Sequence, residues 1–573
     1  MGLACAISAP ARADEQTVKL IQLLIQKGIL SQGQAGELLR ETGTTPARGK
    51  RGRAAAAPAS LAPASLAPVS PAAEAAPPPA KPGEIRVTYV PQFVRRQIAD
   101  EVRSEMLQQT KEEGWAAPNA FPEWTQRFKL YGDMRVRYER DSFASGNNNQ
   151  FINFAALNNG NAFDANNFGQ DLNTQSSPPF LNTTQDRDRA RVRARIGVEA
   201  FIDDGLTADI RLSTGSDQGP VTPNQTLGQP GDFSKFSAYI DRANLTYANY
   251  GLKLSAGRFD DPFFATDLLF YSELGFDGVA ASYRTRVTEN TAVFATGGVF
   301  PILNTAFDFS TNSQTKFGSN NAYMLAAQAG GEWRVRPDLL AKLGVGFFDF
   351  SGVQGSISAP CEPQQAVGAA YICNTDNTRL LFQQFGNTVT ALRSIVNAPN
   401  ATNPVNPQYY GLASKFAVLE VHPRVEITSL HPFDVMLEGE YLKNLAYNRA
   451  AILTRGPVQG PIGPANNIGD RGQYQGGDTA YMVKATFGNL VIHHRWDWNV
   501  TAAYKYLQTD STLDSINDSD FHLGGTNAEG TVLTGSLGVA KETYVSLRWF
   551  SAQTVSGPRD GNDVVQLDLQ SSF

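Results

Sequence analysis

Five arginines recur at every second position, Arg187, Arg189, Arg191, Arg193 and Arg195, and the opposite parity carries Ala190, Val192, Ala194, Ile196, Val198 and Ala200. A period of two places the two sets on opposite faces of an extended strand. A row of guanidiniums does no covalent chemistry. It makes a strip of fixed positive charge that can attract, orient or sort charged solutes, or else pair with acidic neighbours and stiffen a wall. If the apolar face meets lipid the arginines must meet water, since each would cost roughly 2–4 kcal/mol at a bilayer midplane. Arg135 and Arg137 extend the basic set, because in 128–138 they share a parity with Lys129 and Asp133, against Phe128, Leu130, Met134, Val136 and Tyr138.

Other reactive types are scattered. The five histidines, His422, His431, His493, His494 and His522, do not cluster, and the adjacent pair falls at an expected turn where neighbouring side chains diverge. Neither a Ser/His nor an Asp/His arrangement stands out. Asp510, Asp514, Asp518 and Asp520 lack the spacing and central Gly of an EF-hand and read as a solvated loop, as does the Asn-rich stretch after residue 141. The sequence predicts no catalytic residue, no metal, no cofactor and no enzyme.

The elements that position the arginines follow from composition and period. The 573 residues include 51 Gly, are 10% aromatic and only 18% charged, and carry a net charge of −6, which argues against a nucleic-acid partner. No run approaches the roughly 20 apolar residues that a membrane helix needs. Strands that alternate between lipid and a wet lumen need only about 10 residues, half of them polar, so a membrane barrel can keep a polar average. Period-two strands are predicted near 127–140, 187–202, 206–215, 236–248, 252–260, 275–286, 291–300, 321–335, 339–350, 414–429, 433–447, 478–488, 494–508, 528–540, 543–554 and 563–573.

Their connectors alternate in length. Short ones are turn chemistry: Asp203-Asp204-Gly205, Asn249-Tyr250-Gly251, Arg336-Pro337-Asp338, Leu430-His431-Pro432 and Lys541-Glu542. Long ones include 141–186, 351–413 and 448–477. This alternation is the signature of an outer-membrane barrel, and the expected fold is an all-β transmembrane barrel of about 16 antiparallel strands over 127–573. An even count puts both chain ends in the periplasm. The last strand alternates Val565, Leu567 and Leu569 with Gln566, Asp568 and Gln570 and ends on Phe573, an aromatic ending like the signal read by the barrel assembly machinery. Cys361 and Cys373, close together in one long connector, are expected to form a disulfide in an oxidising envelope.

Before the barrel, 1–13 reads as an incomplete signal peptide, with Ala11-Arg12-Ala13 as its cleavage pattern but no basic start. Residues 14–41 read as a periplasmic helical hairpin and 42–84 as a disordered Ala/Pro-rich linker whose basic start could touch peptidoglycan. Residues 85–126 contain a helix with Val94, Ile98, Val102 and Met106 at spacing four, which suits either a short coiled coil or a helix lying at the barrel mouth.

The chain resembles the proteobacterial putative porin family, a branch of the general outer-membrane porin superfamily. The likeness is densest in Gly257-Arg258-Phe259-Asp260-Asp261-Pro262-Phe263-Phe264 with Asp267-Leu268, in Glu440-Tyr441-Leu442-Lys443-Asn444-Leu445, and in Asp518-Ser519-Asp520-Phe521 with Gly524-Gly525-Thr526-Asn527, and continues through Arg548-Trp549. The resemblance implies passive diffusion of small hydrophilic solutes and ions through the bacterial outer membrane, as a homotrimer amid lipid and lipopolysaccharide. It also implies a third external loop folded inward. Here that loop supplies Asp260, Asp261, Phe263, Phe264, Asp267 and Glu273 as candidates for a constriction facing the arginine ladder. The alternative reading is a structural anchor that ties the membrane to the cell wall through the periplasmic N-terminal region.

Overall fold

A computed structural model describes Thr125 and residues 127–167, 177–216, 219–305, 318–362, 373–379, 381–402, 404–430 and 433–573. The expected signal peptide, helical hairpin, linker and 85–126 helix, together with the turn at His431-Pro432, lie outside these residues. Sixteen long strands run antiparallel in chain order: β1 (Phe128–Phe143), β2 (Arg187–Asp203), β3 (Leu206–Thr214), β4 (Ala238–Asn249), β5 (Leu252–Phe259), β6 (Phe276–Thr288), β7 (Thr291–Leu303), β8 (Ala322–Arg336), β9 (Leu339–Ser351), β10 (Phe416–Leu430), β11 (Phe433–Asn444), β12 (Thr479–Gly488), β13 (Trp498–Leu507), β14 (Ala528–Ala540), β15 (Thr543–Thr554) and β16 (Gly561–Ser572). Each pairs with the next and β16 pairs back with β1, from Asp133↔Ser572 to Phe143↔Asn562, so the sheet closes. Closure leaves no edge strand with unpaired backbone, the condition for crossing a bilayer with strands.

Each predicted strand has its counterpart, and the ends that differ do so for local reasons. The strand expected from 494 begins instead at Trp498, because the Asp497 carboxylate accepts the backbone N–H groups of His493 at 3.0 Å and His494 at 2.7 Å and folds the preceding segment into a turn. These two donors hold Asp497 below the usual carboxylate range. The strand expected to reach 447 stops at Asn444, whose amide oxygen accepts from Ala417 and Ala446 N–H, both at 3.1 Å.

Alternation sets the two faces. On β1, Leu130, Met134 and Val136 are 61, 50 and 43% exposed, whereas Arg135 and Arg137, of the opposite parity, are 6 and 1% exposed. The outer face carries aromatics toward both ends. Trp333, Tyr247 and Phe487 lie toward the short-turn end, and Tyr323, Tyr441 and Tyr481 toward the long-loop end. Two such girdles around an apolar band match the two interfaces of a membrane. Among the described residues no helix is long and apolar enough to cross one.

The packed interior lies within the barrel. Inward-facing Phe276, Phe300 and Phe348 meet Phe263 and Phe270 of the loop between β5 and β6, with Phe263 and Phe348 edge to face at 5.1 Å and Phe270 and Phe276 at 5.0 Å. Such pairs add about 0.5–1.5 kcal/mol each beyond area burial, which holds this loop inside the lumen rather than outside it.

Candidate functional site

The inward loop, residues 260–275, runs between walls of different chemistry. Near β8–β11 its backbone is gripped by side chains. Gln328 accepts the Phe264 N–H and donates to the Phe264 carbonyl, both at 2.8 Å. The Phe264 ring stacks on His422 at 3.8 Å, with Lys342 3.9 Å from the same ring. The Thr266 hydroxyl donates to Glu440, a carboxylate on β11. Its far end carries Glu273, whose two oxygens divide between Arg193 and Arg195, the latter at 2.6 Å, with Arg135 at 3.6 Å.

The arginine ladder is paired along its whole length. Arg187 and Arg189 pair with Asp141, Arg189 also with Glu139, and Arg191 approaches Glu139 at 3.4 Å. Arg193 and Arg195 share Asp133, at 2.5 and 2.6 Å. These acids face the arginines across the ladder because β1 and β2 align Arg135↔Arg193, Arg137↔Arg191 and Glu139↔Arg189. Side-chain exposure falls from 39% at Arg187 through 24% at Arg189 and 12% at Arg191 to 2% at Arg193, and rises again to 15% at Arg195. Arg187 and Arg189 therefore border open lumen, Arg193 is buried, and Arg195 is partly exposed while held by Asp133 and Glu273.

The candidate acids of the loop divide by partner. Glu273 reaches the ladder. Asp260 instead pairs with Arg242 on β4. Asp261 accepts the Phe263 N–H at 2.8 Å, and burial pushes its carboxyl up to about 7, with Glu440 and Asp260 adding to the shift. Asp267 accepts the Ser272 N–H at 2.9 Å, and burial with Asp518 nearby raises it too. Phe263 and Phe264 act as packing anchors rather than as a surface facing the arginines.

A second inward loop, between β13 and β14, departs from the solvated reading of its aspartates. Asp510, Asp514, Asp518 and Asp520 are 0, 1, 7 and 4% exposed. Asp510 accepts from Thr388 and Tyr474, Asp514 pairs through its backbone with Asn387, and Asp518 takes Lys505. Asp520 sits at 3.1 Å from Arg137 and 3.2 Å from Arg548, while Asp568 accepts Arg137 at 2.7 and 3.0 Å. Burial alone pushes Asp520 up, but the two guanidiniums outweigh it and hold the carboxylate far below its usual range. The Asn-rich first loop is likewise partly enclosed, with Asn158 fully buried and bonded to the Tyr410 backbone.

Glu139, Asp520, Arg548 and Asp568 thus belong to the lumen network, although none of them was marked from sequence as a pore-lining residue. The available signal was parity: Asp568 lies in the polar set of β16, and Arg548 between Leu547 and Trp549 on β15. Cys361 and Cys373 are disulfide-bonded, with Cα atoms 6.1 Å apart. Phe573 extends β16 by one residue, exchanging backbone hydrogen bonds of 3.0 Å in both directions with Gly132. Among the described residues no group of three or more His, Cys, Asp or Glu is placed to hold a metal ion. His493 and His494 are exposed at their turn, facing Glu542 and Asp497 respectively.

A closed sixteen-strand barrel with an apolar outer band, an ionic lumen and a loop folded inside defines an outer-membrane channel protein. The profile of the family described as "Putative porin" matches residues 14–573, and the chain belongs to that family. Among solved structures it is similar to the outer membrane channel DcaP of Acinetobacter baumannii, with 11% identity over 78% of this chain and 97% of that one and a TM-score of 0.34. It is also similar to OprB of Pseudomonas putida in a high-pH structure, with 10% identity, 78 and 95% coverage and a TM-score of 0.40. OmpF of Salmonella typhi, in complex with daunomycin, gives 9% identity, 78 and 97% coverage and a TM-score of 0.35. No curated protein matches the chain in sequence.

Proposed function

We propose that this outer-membrane channel is a diffusion pore for small hydrophilic solutes and ions, with the upper arginine ladder as its charge-sensing surface. The observation that carries the reading is the fall in exposure from Arg187 to Arg193, together with the carboxylates each rung holds. Arg187, Arg189 and Arg191 line a cavity while sharing two carboxylates among three guanidiniums, whereas Arg193 and Arg195 are each held by both Asp133 and Glu273. One ladder then does both kinds of work available to it: its lower rungs brace the inward loop, and its upper rungs present cationic edges to passing solute.

Sorting depends on the inward loop staying in place. Its aromatic packing, the Gln328 clamp and the Glu273 ion pairs fix it at three separate points. The test is liposome swelling with purified protein and uncharged sugars of increasing size. Swelling that slows with solute size supports a sieving pore. Folded protein that gives no swelling with any sugar contradicts it.

A further inference from the structure

On the long-loop side of the inward loop lies a cavity of about 350 Å³, within the range of small-molecule sites. Part of its lining is cationic: Arg187, Arg189 and Arg191 of β2. Another part is apolar and comes from loops that the diffusion reading does not use, Phe382 and Phe385 between β9 and β10 and Leu523 between β13 and β14. The charges do not cancel locally. Three guanidiniums share Glu139 and Asp141, and Arg191 is the least satisfied, with Glu139 at 3.4 Å and the Thr222 hydroxyl at 3.3 Å. Of the other carboxylates in the lining, Asp520 is taken by Arg137 and Arg548, and burial pushes Asp560 up to about 6.

Unmet hydrogen bonding points the same way. The Nε groups of Arg189 and Arg191 are buried donors without a partner, and Gln383 Oε1 and His522 Nδ1 are buried acceptors without one. Gln383 and His522 are themselves only 9 and 3% exposed. His522 Nε2 lies 3.1 Å from the Asp560 carbonyl, which places the proton on Nε2 and leaves Nδ1 as a bare acceptor. Burial pushes this imidazole down to about 4, so it stays neutral at ordinary pH. Buried polar atoms of this kind are ordinarily satisfied. The residues that carry these atoms line one space together with two phenyl rings.

We propose that this cavity is a binding subsite for small aromatic carboxylates carrying a hydroxyl. The carboxylate pairs with Arg189 and Arg191, the ring packs against Phe382 and Phe385, and the hydroxyl donates to His522 Nδ1. The assignment rests on the diffusion-pore reading and adds a solute class to it.

The test is isothermal titration calorimetry on the full chain in detergent, with para-hydroxybenzoate as probe and acetate and benzyl alcohol as probes lacking the ring or the charge. Saturable binding of para-hydroxybenzoate is expected, with affinity lower by about tenfold or more in Arg191→Gln and in Phe382→Ala, and acetate and benzyl alcohol not saturating over the same range. Phe382→Ala leaves the charges untouched and keeps the test decisive if Arg191→Gln does not fold. Absence of saturable binding, acetate binding as tightly, or two folded variants that bind like the parent would overturn the subsite. Salt conductance on the same preparation separates the two claims. A conducting protein that does not bind removes the subsite alone, and a binding protein that does not conduct overturns the pore reading and with it the assignment of the ligand as a transported solute.

Discussion

Glu273 on the inward loop and Arg195 on β2 lie 2.6 Å apart, and the same carboxylate also takes Arg193. One acid from the loop thus neutralises charge on two rungs of the wall and ties the loop to it. Removing the negative charge while keeping the shape separates these roles. Glu273→Gln is expected to shift the zero-current potential in a salt gradient toward anions, and Arg189→Gln with Arg191→Gln toward cations. Unchanged potentials in both variants would show that the ladder does not set ion preference.

The partners left behind give a stability prediction. Truncating Glu273 to Ala leaves buried Arg193 with Asp133 alone, and breaking a buried pair this way costs on the order of 3–5 kcal/mol. Urea unfolding followed by tryptophan fluorescence should show an earlier midpoint for Glu273→Ala than for Glu273→Gln, which keeps an oxygen able to accept from both guanidiniums.

Asp261 gives a pH dependence. Its carboxyl sits at about 7 in the folded chain against 3.8 unfolded, so the folded state holds more protons between those values and stability falls as pH rises through that window. Asp261→Asn keeps an acceptor for the Phe263 N–H and removes the titration. Relative to the parent it is expected to be stabilising by a few kcal/mol at pH 8 and neutral at pH 3. Equal effects at both values would rule out a buried, protonated Asp261.

Barrel closure gives a folding test. A Cβ on Gly132 would lie 2.5 Å from the Arg195 carbonyl oxygen and 2.7 Å from the Phe573 ring, so Gly132→Val has no room where β1 meets β2 and the end of β16. The folded, heat-modifiable band on gels is expected to be lost or strongly reduced. A normal band would mean that this seam tolerates a bulkier residue.

Much of the fold was legible in the residues because strand parity and turn chemistry are local. The ladder at 187–195 and the Asp203-Asp204-Gly205 turn each announce themselves within a few positions, and Gly205 indeed takes φ +75°. The buried course of the second inward loop was not legible. Asp520 finds Arg137 383 residues away, and Asp510 finds Thr388 122 residues away, so an acidic, Asn- and Thr-rich stretch that reads as solvated is in fact satisfied by distant partners. The inward loop's acids could be named, but not their division among Arg242, the ladder and neutral burial, since that depends on which wall each turn of the loop faces.

The most direct test of the pore itself is single-channel recording of the purified chain in planar lipid bilayers bathed in potassium chloride. The account predicts discrete, stable conductance steps, with a zero-current potential in a salt gradient that moves toward cations when Arg189 and Arg191 are neutralised. A barrel that inserts in its folded, heat-modifiable form and yields no steps would contradict it.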